Sequence, residues 1–429
     1  MKRFNFLAVI SLFLTLLSGS CSIAQNKGDQ VEYELVKQIE LGKGYELLRL
    51  GRTAERSPGI PRIMLTYKRL SPKRTGPDKL LFYDDDFNLL ATRSYSTANI
   101  SKNSNYVVAS TTIQSSILKK RPGIRRIELL DNNGQVLWTK TEKESRDRSK
   151  GPIYPSDNGV TVQPGSEITF LDTAGKQIAK YSVRNKELGM YAGGVIDFSA
   201  DGEYVAVNAS NFCPDLGYYT ENPRAELFLF NTKGKELWRS LIDEDSPTSV
   251  AIAPRGEYII ACNSPYTILN KSVTRLFSKK VELIGRWDKF LTREIRFSSS
   301  GGYVLLEGVD YNQSINGRNK VRLIETGTGR LLLDYQPPKR VFSLDIAEGG
   351  KLIGLVLDKR IFTGPSRSKK VGNPEALIMD FDEDKVWSKS FQDEFTEGQI
   401  HRYTLRLSDS GEDLTVRLGK RLMKFRIAE

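Results

Sequence analysis

Residues 194–241 read GVIDFSADGEYVAVNASNFCPDLGYYTENPRAELFLFNTKGKELWRSL. Four apolar runs are separated by a turn at Asp201-Gly202, a long polar loop at 208–225 and a second turn at Lys233-Gly234. Glycine supplies the positive φ that a tight hairpin needs. The Val-, Phe- and Tyr-rich runs suit a pleated, half-buried surface. The pattern predicts one four-stranded antiparallel sheet.

The same unit recurs along the chain. A turn led by Asp, Asn or Glu is followed seven residues later by an apolar residue: Asp84 to Ala91, Asp131 to Trp138, Asp172 to Ala179, Asn231 to Trp238, Glu325 to Leu332 and Asp380 to Trp387. Asp and Asn side chains bond the turn backbone two residues on, which explains the preference. The interval from Asn231 to Glu325 spans two periods, so one unit there has lost its turn signal. A second marker fills the gap. Turns of the Ser-x-Asp-Gly kind precede β-rich runs at 199–207, 254–262, 298–306, 348–356 and 408–416, with a weaker copy at 103–109.

The units run 44–95, 96–142, 150–184, 192–242, 247–288, 291–336, 340–391 and 400–429. The last holds only three strand runs, at 403–407, 414–418 and 422–427, while residues 31–41 (VEYELVKQIEL) form a strand with no unit of its own. An open ring would leave two unpaired edges. Residues 31–41 are therefore predicted to supply the outer strand of the last unit. The expected fold is all-β: a single β-propeller over 31–429 with eight four-stranded blades, or seven if 44–95 is irregular.

FSADGEYVAV, IAPRGEYIIA and FSSSGGYVLL resemble WD40-type and related bacterial propeller repeats. LLDNNGQVLWTK, LFNTKGKELWRS and MDFDEDKVWSKS are similar to the outer strands of quinoprotein-dehydrogenase-like (PQQ-type) propellers. That group includes eight-bladed envelope lipoproteins that act as scaffolds. The shared motifs are structural, so the resemblance implies fold and says little about function. It implies no cofactor here. The quinone-binding dehydrogenases use a vicinal disulfide, and this sequence has no adjacent Cys pair.

The N-terminus reads as an export signal. Lys2 and Arg3 precede an apolar stretch at 6–17, too short for a stable membrane span. Two processing sites stand side by side. Ser22-Ile23-Ala24 before Gln25 suits cleavage after Ala24, giving a signal peptide at 1–24 and a flexible tether at 25–30. Leu17-Ser18-Gly19-Ser20-Cys21 resembles a loose lipobox, in which Cys21 would be lipidated. Both readings place the protein in the bacterial cell envelope: periplasmic, secreted, or an outer-membrane lipoprotein. Cys213 and Cys262 fall in neighbouring units at different depths, which favours two separate thiols over a bridge.

No G-x-S-x-G, P-loop or H-E-x-x-H pattern is present, and His401 is the only histidine, which leaves no metal-ligand cluster. Asp84-Asp85-Asp86 and Asp243-Glu244-Asp245 read as turn and connection residues rather than cation sites. Trp138, Trp238 and Trp387 share one slot and read as packing between outer strands of adjacent blades.

Charge is more informative. The chain carries 64 Lys and Arg against 52 Asp and Glu, a net +12. The excess gathers in or beside the connections between second and third strands: Lys68, Arg69, Lys73 and Arg74; Lys119, Lys120, Arg121, Arg125 and Arg126; Arg318 and Lys320; Lys359, Arg360, Arg367, Lys369 and Lys370. In a propeller these connections leave from one face, and their summed field attracts anions. The fourth-blade loop at 208–225 differs. It is not basic, and it carries Phe212, Tyr218 and Tyr219 as candidate contact anchors.

The sequence thus favours a non-catalytic binding or scaffold propeller. Its expected partner is a protein or an anionic envelope component, such as a lipid head group or acidic polysaccharide. Nucleic acid is not expected in that compartment. The rival reading is an envelope hydrolase or lyase acting through carboxylates in the central funnel.

Overall fold

A computed structural model describes residues 33–40, 45–50, 63–69, 78–84, 88–114, 123–143, 151–183, 191–210, 224–243, 247–263, 272–312, 318–358, 371–372, 374–380, 385–391, 393–394, 403–418 and 421–427. Eight four-stranded antiparallel sheets follow one another along the chain. Their first strands are Tyr45–Leu50, Thr97–Ile100, Tyr154–Pro155, Tyr191–Phe198, Pro247–Ile252, Phe290–Phe297, Arg340–Ile346 and Thr404–Leu407. First strands touch between blades 2 and 3 and between each successive pair from blade 4 to blade 8, and they line the axis.

Each apolar cluster spans two neighbouring blades. Phe170 of blade 3 meets Phe228 and Phe230 of blade 4, and Leu305 of blade 6 meets Leu344 and Leu355 of blade 7. The sheets are therefore apolar on both faces, which the near-continuous runs in the sequence foreshadowed. Phe170, Phe228 and Phe230 are fully buried, each contributing roughly 1.5–3 kcal/mol of burial.

Blade 1 is a regular four-stranded sheet, so the count is eight and not seven. Blade 8 is completed as expected from the sequence. Tyr33–Glu40 pairs antiparallel with Arg421–Ile427, from Tyr33 opposite Ile427 to Glu40 opposite Arg421. The unit without a turn signal, blade 5, has its outer strands at Val273–Ser278 and Leu283–Asp288.

The repeated turn and the residue seven positions on meet across blades. A Cβ at Gly175 would lie 3.1 Å from the Trp138 ring of the preceding blade, and one at Gly234 would collide with the Ala179 Cβ. A turn glycine is thus required by both its positive φ and this close approach. Trp138 is 8% exposed, consistent with its reading as packing. Asp84 takes the Asn88 backbone N–H at 2.7 Å, acting as a turn residue. Cys262 is fully buried.

Antiparallel alternation fixes which connections share an end. The short turns between strands one and two, and between three and four, lie at one end of the ring. The connections between strands two and three lie at the other, with the links from blade to blade. A small extra sheet stands at that second end, where Val371–Gly372 pairs with Asp393–Glu394.

Candidate functional site

Among the residues singled out in the sequence, Lys73, Arg74, Lys119, Lys120, Arg121, Lys369, Lys370, Phe212, Tyr218, Tyr219 and Cys21 lie outside the described residues. Arg318 is described: it opens the third strand of blade 6, exposed, opposite Asp310. Its neighbours in the basic set are less available than the sequence suggests. Lys320 pairs with Asp334 at 3.0 Å, Arg125 with Glu142 at 2.5 Å and Arg126 with Glu128 at 2.8 Å. Lys320 and Arg125 reach a carboxylate on the adjacent strand, and Arg126 reaches one two residues along its own strand. Part of the basic excess is therefore neutralised within the blades.

Sequence reading missed the chemistry at the axis. A cavity of ≈480 Å³ lies among the first strands, towards the short-turn end. Its wall carries Lys102, Arg293, Arg296 and Arg406 against Asp197, Glu294 and Asp345. Asp197, Arg296, Asp345 and Arg406 all occupy one register, the residue before the apolar one that ends each first strand. A register alignment of the first strands would have found them.

Two of these carboxylates latch neighbouring blades. Asp197 of blade 4 accepts the Ile252 N–H of blade 5 at 2.9 Å, and Asp345 of blade 7 accepts the Leu407 N–H of blade 8 at 3.0 Å. Ser343 adds a parallel bond, accepting the Leu405 N–H at 3.1 Å. An inner strand has one free edge, and a buried N–H left there is costly. The preceding blade supplies the acceptor.

Lys102 spans furthest. It sits on the first turn of blade 2, and its ammonium donates to Asp197 at 3.0 Å, to the Phe198 carbonyl at 3.1 Å and to the Ile252 carbonyl at 2.7 Å. Those bonds reach blades 4 and 5 and use all three donors. Blade 3 makes room, because its first strand is only Tyr154–Pro155. Asp157 of that blade fixes the turn, accepting from the Ser101 hydroxyl at 2.6 Å and from the Asn103 N–H. Burial pushes the Asp157 carboxyl above its ordinary range, and the bonds from Ser101 and Asn103 pull the other way.

Arg296 donates to Glu294 at 2.6 Å and to the Ile295 carbonyl at 2.9 Å, while Arg406 donates to the Leu405 carbonyl at 2.9 Å. The Ser249 hydroxyl, Arg296 Nε, Asp345 Oδ1 and the Thr404 hydroxyl are buried without a hydrogen-bond partner among the described residues. Among the same residues no group of His, Cys, Asp and Glu is arranged to hold a metal ion.

The fold defines the class: an eight-bladed β-propeller of four-stranded blades, closed by its N-terminal strand. Among solved structures it is similar to the C-terminal WD40 domain of Sif2, with a TM-score of 0.54 and 9% identity, over 94% of this chain and 100% of that one. The Myceliophteria thermophila Cps50 (Swd1) β-propeller domain aligns at a TM-score of 0.46 and 10% identity, over 92% and 100%. No family model matches the sequence, and no curated protein matches it. The Sif2 likeness supports the WD40-like part of the resemblance at the level of fold, and leaves the quinoprotein-type part without support.

Proposed function

We propose that this propeller is a non-catalytic binding and scaffold module of the bacterial cell envelope. It engages a protein or anionic partner through the end that bears the connections between second and third strands. One observation carries the reading: the strand topology gathers those connections at one end. They are also the segments in which Lys73, Arg74, Lys119, Lys120, Arg121, Lys369 and Lys370 occur, with Phe212, Tyr218 and Tyr219 in the fourth. The other end has short turns held by their own side chains, as at Asp131 and Asp172.

The N-terminal strand adds an orientation. Tyr33 begins it at the short-turn end, opposite Ile427, and Glu40 ends it at the loop end. An anchor at Cys21 would therefore attach at the short-turn end and leave the loops facing away from the membrane. This favours a protein or polysaccharide over the head groups of the anchoring membrane. The axial carboxylates support binding over hydrolysis. Asp197, Glu294 and Asp345 each hold a structural bond.

Crosslinking in the native envelope tests the reading, with the native chain and a variant carrying Lys119, Lys120, Lys369 and Lys370 all changed to Glu. The variant is expected to lose at least tenfold of the native crosslinks, and added salt should weaken the native capture. Equal capture by both chains at low salt would count against the loop end.

A further inference from the structure

We propose that Glu307 and Arg293 form a proton-operated switch in the seam between blades 6 and 7, in which loss of the Glu307 proton draws the Arg293 guanidinium off Asn319 and onto the carboxylate. The switch lies within blade 6 and stands whatever the loop end binds.

Strand geometry sets up the pair. Glu307 lies on the second strand of blade 6, two residues after Leu305 and opposite Val321, and both of those pack against blade 7. Alternation along a strand turns Glu307 to the same seam. It is 4% exposed. The first strand of blade 6 is bulged at Arg293, between Thr292 opposite Gly308 and Glu294 opposite Glu307. A bulge re-aims the extra side chain. Here it brings a guanidinium that also lines the axial cavity up to a buried carboxyl.

The Arg293 Nη1 atom is held fully by neither neighbour. It lies 3.5 Å from Asn319 Oδ1 and 3.8 Å from Glu307 Oε1. The first distance is at the outer limit of a hydrogen bond and the second is beyond it. Glu307 Oε1 has no hydrogen-bond partner among the described residues. An ionised carboxylate left so would be costly, whereas a neutral carboxyl tolerates it. The arrangement is that of the protonated form.

The surrounding charges set what happens when the proton leaves. Glu294, opposite on the first strand, is a like charge, and Arg296 holds it at 2.6 Å. From blade 7, Arg340 acts as an opposing cation, with its guanidinium 5.2 Å from the Phe342 ring. Beside it, Lys339 is taken by Glu375 at 2.7 Å. On the third strand of blade 6, Lys320 and Arg322 are held by Asp334 and Asp310. Burial and Glu294 push the Glu307 carboxyl up to about 7, against Arg293 and Arg340. Arg293 is the cation already beside Oε1, and it gives up a long bond to Asn319. A charge-assisted bond settles at about 2.7–2.9 Å, so Nη1 moves inward by about 1 Å.

NMR of the full processed chain from about pH 5.5 to about pH 8.5, either side of the Glu307 value, tests this. It follows the Glu307 side-chain carboxyl carbon, the Arg293 Nε–H and the Asn319 side-chain amide. All three signals are expected to move with one shared midpoint. Arg293→Gln should raise the proton affinity of Glu307 about tenfold, because a nearby opposite charge is lost. Asn319→Ala removes the competitor for Nη1 and should lower that affinity. Glu307→Gln should abolish the titration of the Arg293 and Asn319 signals. The proposal is overturned if Glu307 titrates in the ordinary carboxylate range, or if the Arg293 and Asn319 signals do not follow it. Titration of those signals in Glu307→Gln, or an unmoved Glu307 midpoint in folded Arg293→Gln, would overturn it equally. If Arg293→Gln fails to fold, the native chain and Glu307→Gln still decide.

Discussion

Glu307 is a buried carboxylate whose protonation bears on stability. It lies in the apolar run YVLLEGVD on the second strand of blade 6, where the sequence already marks it as an anomaly. It is 4% exposed, with the Arg293 guanidinium 3.8 Å away. Burial pushes its carboxyl up to about 7, and Glu294 adds to the rise, while Arg293 and Arg340 oppose it. The ordinary value is 4.5. Between 4.5 and about 7 the folded chain keeps this proton and the unfolded chain releases it. The folded state then binds more protons, so stability falls as pH rises through that window and levels off above it. The full effect is on the order of 3 kcal/mol, since each tenfold change in proton affinity corresponds to about 1.4 kcal/mol. Glu307→Gln should remove this slope and be more stable than the native chain at pH 7.5, with little difference at pH 4.5. Urea unfolding of both chains at the two pH values checks it, and parallel curves would refute it.

The first turns of the blades show which elements were legible in the sequence and which were not. The turns of the Ser-x-Asp-Gly kind located the first turns of blades 4 to 8, and Gly202, Gly256, Gly301, Gly350 and Gly411 all have positive φ there; Gly159 in blade 3, which the sequence reading did not single out, has the same conformation. Blade 2 was visible only as a weaker copy, because Ser104 stands where the others have Gly. Ser104 adopts φ 66, is fully buried, and its hydroxyl has no partner among the described residues. Left-handed backbone costs a non-glycine residue roughly 1–2 kcal/mol, and an orphan buried hydroxyl adds to that. Ser104→Gly should therefore raise stability by about 1–2 kcal/mol, read as a higher midpoint of denaturant unfolding with an unchanged slope. A lower midpoint would show that the hydroxyl is needed. The same turn holds Lys102, whose reach to blades 4 and 5 could not be read from sequence. Its partners are two backbone carbonyls, which leave no residue signature, and Asp197, 95 positions away. The axial residues share a register that the sequence does carry, but their meeting across blades was hidden. Asp345 and Arg406 converge only once blades 7 and 8 lie side by side.

Closure of the ring is the property of the whole molecule that sequence revealed best, since a three-stranded terminal unit and an unassigned strand at 31–41 imply each other. The outer strands of blades 1 to 6 show why a free edge must be managed. Each is bulged at one register, with Leu90, Leu137, Ile178, Leu237, Ile284 or Leu332 as the extra residue. Val36 makes the same bulge in the closing strand. Bulges twist an edge away from further pairing. Without the closing strand, Arg421–Ile427 would present an unbulged edge, with Met423 and Phe425 losing cover that now leaves them 3% and 0% exposed. Blades 8 and 1 would also lose their covalent join through the residues that follow Glu40. A chain beginning at residue 42 is therefore expected to unfold at lower temperature, over a broader transition, and to aggregate at its open edge. A peptide of residues 31–41 supplied in trans should restore the sharp transition, with a midpoint that rises with peptide concentration, as expected for a ligand that binds only the folded state. A peptide with Lys37 and Gln38 both changed to Pro should fail, because proline cannot donate to the ladder. If the truncated chain melts with the native midpoint and cooperativity, the strand is dispensable and the ring is held by blade-to-blade packing alone.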